Sequence, residues 1–249
     1  MVATAARAEA DLKASLNGDI KTFYVATVPY DNALFEAAGL MPSDPIGQGI
    51  VDGRLKAKAS LGNVRLIAHH AVTSTTGGPT FTTGQTGLGA QSPQLIDLSW
   101  DGLEDTEDAE AMTLTGRTDR LSLGVTSGPL TLTAGRQPIT LGHGLTFTPM
   151  DLVNPFFPTV VDQEYKPGVD AATADLFFGT SSQLSLMAAY ADEAPVVDAE
   201  DWAVDGMVYA VYGQHTVGRS DIGLMVGEIR NDAVYGLTVA SSIGPVAVH

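Results

Sequence analysis

The chain has 249 residues, of which 17% are charged, with a formal net charge of −16 and a mean hydropathy of +0.10. That acidity argues against nucleic-acid binding, which needs a basic footprint, and the lack of cysteine rules out a disulfide framework. No run approaches the ~18 apolar residues of a transmembrane helix, so a closed β-barrel is the one remaining route through a bilayer.

Charge below the roughly 25% of an average soluble domain, together with 27 glycines and many Thr, Ser and Ala, fits a sheet with one lipid face better than a cytosolic α/β enzyme. The first residues, MVATAARAEADL, lack an apolar core segment but carry small-x-small spacing at Ala6-Arg7-Ala8 and Ala8-Glu9-Ala10. Residues 1–11 are therefore expected to be the remnant of an export signal or a disordered N-terminus, with one barrel domain over 12–249.

A strand is expected from Leu12 to about Thr27, then a loop through Gly49 with one helical turn at Asn32–Ala38. Arg54–Leu61 alternates strictly. Leu55, Ala57, Ala59 and Leu61 share one face and Arg54, Lys56, Lys58 and Ser60 the other, the period of a strand with one apolar side. Gly62-Asn63 is a tight-turn dipeptide, and a second strand places Val64, Leu66, Ala68 and Val72 opposite Arg65, Ile67 and His69. Thr73–Glu110 reads as a long loop ending in an acidic run.

Met112–Thr126 is the next strand, with Leu121, Leu123 and Val125 alternating with Arg120, Ser122 and Gly124. Ser127-Gly128-Pro129 turns it into Leu130–Gly135. Beyond residue 169 the rhythm resumes at Val169–Phe178, Gln183–Ala191, Ala203–Thr216, Ile222–Arg230, Val234–Ser242 and Val246–His249. This gives about ten strands and the start of an eleventh, each of about 9–12 residues. Short turns near 62, 128, 180, 219 and 244 alternate with long connections near 29–49, 73–110, 136–168 and 192–202, and the turn near 231 is the exception. That alternation belongs to outer-membrane barrels more than to soluble sandwiches. An ending at Val248-His249, just after a turn, suggests a barrel incomplete at its C-terminus.

Gly135–Asp170 joins the two halves. It carries five of the thirteen prolines, so it is no continuous strand or helix. Its Leu145, Phe147, Met150, Leu152, Val153, Phe156, Phe157, Val160 and Val161 call for burial, which a polar linker would not. Arg136, Asp151, Asp162 and Glu164 are interleaved with them. The run Gly135-Arg136-Gln137, Gly142-His143-Gly144, Phe147, Pro149-Met150-Asp151-Leu152, Asn154-Pro155-Phe156 and Glu164-Tyr165-Lys166-Pro167-Gly168-Val169-Asp170 resembles the porin-like outer-membrane β-barrels of Gram-negative bacteria and, more distantly, alginate-export-type barrels.

The resemblance implies an antiparallel transmembrane β-barrel with this loop folded inward, localised in the outer membrane and passing small hydrophilic solutes by diffusion. It implies no enzyme activity and no cofactor. Its partners would be outer-membrane lipid and lipopolysaccharide, the solutes themselves and the barrel-assembly machinery. The rival readings are a polysaccharide-export conduit and a secreted or surface-exposed soluble β-protein that binds carbohydrate.

If Leu55, Ala57, Ala59 and Leu61 face lipid, then Arg54, Lys56, Lys58 and Arg65 face the lumen. Arg120, Arg136 and His143 join them as candidate lining residues. Asp151, Asp162 and Glu164 of the loop are expected to oppose that basic face and set a transverse field. The pair His69-His70 cannot chelate one ion from a strand, because adjacent side chains leave opposite faces. Asp101, Glu104, Asp105, Glu107, Asp108 and Glu110 are expected in an external loop, where they could hold divalent cations between lipopolysaccharide phosphates. No catalytic arrangement of Ser, His, Cys or Asp stands out.

Overall fold

The computed structural model describes residues 11–27, 46–77, 94–105, 112–142, 150–151, 153, 165–166, 168–190, 207–229, 232–243 and 246–248. Among the described residues the elements are all strands: β1 (Leu12–Thr27), β2 (Ile46–Leu61), β3 (Val64–Gly77), β4 (Ser99–Asp105), β5 (Met112–Ser127), β6 (Leu130–Gln137), β7 (Val169–Phe178), β8 (Ser182–Tyr190), β9 (Met207–Val217), β10 (Ser220–Ile229), β11 (Asp232–Ile243) and β12 (Val246–Val248). They form one sheet in the order β1-β2-β3-β5-β6-β7-β8-β9-β10-β11-β12, every pairing antiparallel, with β4 attached to β5. Among the described residues β1 pairs only with β2 and β12 only with β11, so the sheet is open, as a partial barrel is. The expected helical turn at Asn32–Ala38 lies outside the described residues.

β1 and β5, each of 16 residues, match the strands expected at Leu12–Thr27 and Met112–Thr126 to within one residue, whereas β2 and β3, of 16 and 14 residues, run past the alternation that marked them. The excess is at the end of the long connections, where residues 46–49 and 73–77, rich in Gly, Ser and Thr, read as loop and residues 50–53 were assigned to neither loop nor strand. They pair regardless: Gln48 faces Gly77 and Asp52 faces Thr73 across β2 and β3. β4 also falls where a loop was expected, with Trp100 opposite Gly116 and Asp101 opposite Thr115. Asp101, Glu104 and Asp105 are thus strand residues, whereas Glu107, Asp108 and Glu110 lie outside the described residues.

β4 and β6 lie end to end along one edge of β5. β4 takes Met112–Arg117 and β6 takes Leu121–Ser127. On the opposite edge, β3 runs the whole length with one irregularity: His69 faces Arg120, but His70 faces Thr118. Asp119 is the extra residue of a β-bulge, which resets the alternation of β5. Arg117 therefore falls on the same face as Arg120, which simple period-two counting would forbid.

The two faces differ in kind. One exposes Ile20, Leu55, Leu66, Leu123, Leu132, Leu186, Val211, Leu224 and Leu237, up to 76% at Ile20. The other buries Asp52 at 0% and Arg54, Asp119 and His69 at 5% or less.

The second face also receives the central segment. Ile139, Leu141, Met150 and Val153 form a core with Met187 and Ala189 of β8, Val208, Ala210 and Tyr212 of β9, and Met225 of β10. Each Ile, Leu, Val and Met among them contributes about 1.5–3 kcal/mol on leaving water, and the alanines less. The loop is thus folded inward onto the sheet.

Candidate functional site

On the inward face β2, β3 and β5 bring together Asp52, Arg54, Thr73, Arg117 and Asp119. Arg54 donates through Nε (3.2 Å) and Nη2 (2.9 Å) to Asp119 Oδ2, and Arg117 Nε donates to Asp119 Oδ1 at 2.9 Å. Thr73 Oγ1 donates to Asp52 Oδ2 at 2.8 Å and accepts from Arg117 Nη1 at 3.3 Å. Arg117 and Arg54 lie 3.6 and 3.7 Å from the Asp52 carboxylate. Two arginines and two aspartates neutralise one another in a ring, the condition for burying four charges at tolerable cost.

Tyr165, from the central loop, docks on this ring. The Arg54 guanidinium carbon is 3.6 Å from the tyrosine ring centroid, that of Arg120 is 4.5 Å away and Lys56 Nζ is 5.7 Å away. The phenol oxygen is hydrogen-bonded to His69 Nδ1 at 2.8 Å. Arg120 Nη2 donates to the backbone oxygen of Lys166 at 2.9 Å, fixing the next residue of the loop. Cations over an aromatic face gain most where water is thin. Burial pushes the Tyr165 phenol up to about 12, against the opposing pull of Arg120. His70 leaves the other face, where its Nδ1 meets Thr118 Oγ1 at 3.1 Å, so the two neighbouring rings do point apart.

Of the three loop acids expected to oppose the basic face, the one that is described has another partner. Asp151 does not oppose Arg54, Lys56 and Lys58: it accepts from Lys166 within the same loop, and Lys166 also reaches the Ile139 carbonyl and, at 3.2 Å, Thr140 Oγ1. The loop core buries Asp151, so it takes the nearest cation, and burial pushes Lys166 below the usual lysine range while Asp151 pulls it back. Arg54 takes its carboxylates from Asp52 and Asp119, whereas Lys56 pairs with Asp19 of β1 at 2.5 Å. Lys58 and Arg65 sit on the same face by register and are exposed. His143, Asp162 and Glu164 lie outside the described residues.

Arg136, expected to line the lumen, closes a gap in the sheet. It faces Asp170 across β6 and β7 and is 2% exposed. Its guanidinium donates to both Asp170 oxygens, to the Thr118 carbonyl at 2.8 Å and to the Ile96 carbonyl. The same Asp170 accepts from the Leu95 and Ile96 amides at 2.9 and 3.2 Å. These backbone groups border the break between β4 and β6 and would otherwise lack partners. Gly168 permits this approach, because a Cβ there would lie 2.5 Å from the Asp119 carbonyl and 2.9 Å from Arg136 Cγ.

Sequence reading missed Asp52, Arg117, Asp119 and Tyr165. Asp52 lay between the loop expected through Gly49 and the alternation beginning at Arg54, and Arg117 needed the bulge, but Tyr165 stood within the quoted run Glu164–Asp170 as its one aromatic.

The exposed face adds a feature of its own. Tyr24, Trp100, Tyr190, Tyr209 and Tyr235 all lie on it within about five positions of the end where the long connections emerge. Phe178 stands at the opposite end. A scan against protein-family models and searches of curated proteins and of solved structures find no match for the chain.

Proposed function

We propose that the sheet is wall of a porin-like barrel in a Gram-negative outer membrane, and that its inward face lines a channel for small hydrophilic solutes. The observation that carries this reading is the inversion of the two faces. Leucines, isoleucines and valines stand exposed across strands β1 to β11, and charged groups are buried on the opposite side. In water an apolar face of that extent invites aggregation, whereas hydrocarbon makes it the favourable surface, and each lipid-facing strand needs only ~9–11 residues to cross. Tyrosines and a tryptophan near one end match a headgroup belt. The partners on that face are lipid and lipopolysaccharide, met after delivery by the barrel-assembly machinery.

The loop's described residues touch the inward face at two places, Tyr165 at the ring of Arg54 and Asp119 and Ile139, Leu141, Met150 and Val153 at the apolar wall of β8–β10, so it narrows the path beside it. The exposed Lys58 and Arg65 give that path a positive bias. Single-channel recording of the protein in planar bilayers tests both points. Deleting residues 145–160 should raise conductance several-fold, and reversing the charge at Lys58 should shift preference toward cations. A protein that forms no channel, or whose conductance and selectivity are untouched by the deletion while it still assembles, would refute the reading.

A further inference from the structure

Below the apolar core of the central loop, toward the short-turn end of the sheet, is a cavity of about 250 Å³. Pro138–Gly142 roofs it, and β6 to β9 supply its wall, with Gln137, Asp175, Gln183, Ser185, Tyr212 and Gln214 among its polar groups beside Thr140 and Thr173. Its chemistry differs from that of the arginine ring, since no lysine or arginine among the described residues lines it.

The wall groups are held in place by one another. Ser185 Oγ donates to Asp175 Oδ1 at 2.5 Å, and Gln183 Nε2 donates to Ser185 Oγ at 2.8 Å and to Asp175 Oδ1 at 3.3 Å. Tyr212 donates to Gln214 Oε1 at 3.3 Å. Gln137 is spent on the backbone carbonyls of Thr133 and Ala171 and on Thr173 Oγ1. Tyr212 lies flat along the wall because Gly223 faces it, where a Cβ would come within 2.5 Å of its hydroxyl.

Three groups remain without a partner among the described residues: Asp175 Oδ2, Gln183 Oε1 and Gln214 Nε2. Two are acceptors, and the third is an amide with two protons to give. That set complements neighbouring hydroxyl groups, each of which donates once and accepts once. Among the described residues Asp175 is the one carboxylate of the lining, which disfavours an anion and is too few for a metal ion.

We infer that this cavity is a binding subsite for a neutral polyhydroxylated solute of hexose size, held by Asp175, Gln183 and Gln214. The inference rests on the channel reading only for how the solute arrives. Because Asp175 repels a negative charge, glucose binds where gluconate, its acid of matching size, does not.

Saturation-transfer NMR on the full chain folded in detergent micelles reads binding without requiring conduction. Glucose should give a saturable signal, and gluconate one at least about tenfold weaker. Gln214→Leu and Gln183→Leu should each weaken glucose binding about tenfold, the worth of one good polar contact. Absence of a glucose signal, equal binding of the two solutes, or unchanged affinity in both variants with strand circular dichroism intact overturns the subsite. Glucose binding by a protein that conducts nothing in bilayers removes the channel and keeps the subsite, and conduction without glucose binding does the opposite.

Discussion

Arg136 and Asp170 face each other across β6 and β7 and share two hydrogen bonds, of 2.9 and 3.0 Å. The pair spans the place where β4 ends and β6 begins along β5, and Arg136 serves the Thr118 and Ile96 carbonyls there. It belongs to the frame of the sheet, unlike the charges that face the path. Asp170→Asn should therefore cost about 3–5 kcal/mol, because it leaves a buried guanidinium without its counter-charge. Urea unfolding in lipid vesicles, followed by heat-modifiable gel mobility, would measure this. A loss under 1 kcal/mol would mean the gap closes without the pair.

Leu66→Arg and Leu186→Arg place a cation on the exposed apolar face, where both leucines are nearly half exposed. In a bilayer each should cost roughly 2–4 kcal/mol near the midplane. Lys58→Leu, on the opposite face, should be tolerated. Lys56→Leu is a poorer control because it strands Asp19, which Lys56 engages at 2.5 Å. If vesicle unfolding gives the same stability for the arginine and leucine variants, the apolar face does not meet lipid.

Trp100 offers a direct reading of depth. It stands on the exposed face against Gly116, where a Cβ would lie 2.0 Å from its ring. In a Trp202→Phe background it is the only tryptophan of the chain. Bromine near the headgroups should quench its fluorescence strongly, and bromine at the acyl ends should quench it weakly. Quenching by aqueous iodide alone would detach this strand from the membrane surface.

Alternation made much of the wall legible. Residues 121–135 and 169–190 read correctly because every second side chain changes character and the turns carry Gly, Ser or Thr. The ends of β2 and β3 did not, because small residues at the rim have no apolar pattern to show. Neither did the ring at Arg54. Its Arg117 shares a face with the neighbouring Arg120 only through the bulge at Asp119, and a bulge leaves no mark in a period-two count. Ion-pair partners were illegible for another reason. A buried acid pairs with the nearest cation in space, so Asp151 found Lys166 in its own loop while the strands supplied Arg54 with Asp52 and Asp119.

Tyr165 ties the loop to the ring, and its ionisation reports whether the tie is made. Burial raises its phenol from the ordinary 10.0 to about 12. Between those values the unfolded chain has released this proton and the folded chain keeps it. The unfolded state then binds fewer protons, so stability falls as pH rises through that window, and no contribution to the slope comes from this group below it. Tyr165→Phe preserves the ring over Arg54 and removes the titrating group along with the bond to His69. Absorbance at 295 nm after a rapid pH jump should show one tyrosine of the wild type ionising near 12 and missing from the variant. The wild type should also lose stability relative to the variant between pH 10 and 12. Tyr165→Ala removes the stacking as well, and should free the loop enough to raise conductance where Tyr165→Phe changes it little. A difference titration centred at 10, with both variants conducting like the wild type, would show that Tyr165 is solvated and that the loop is held by its apolar core alone.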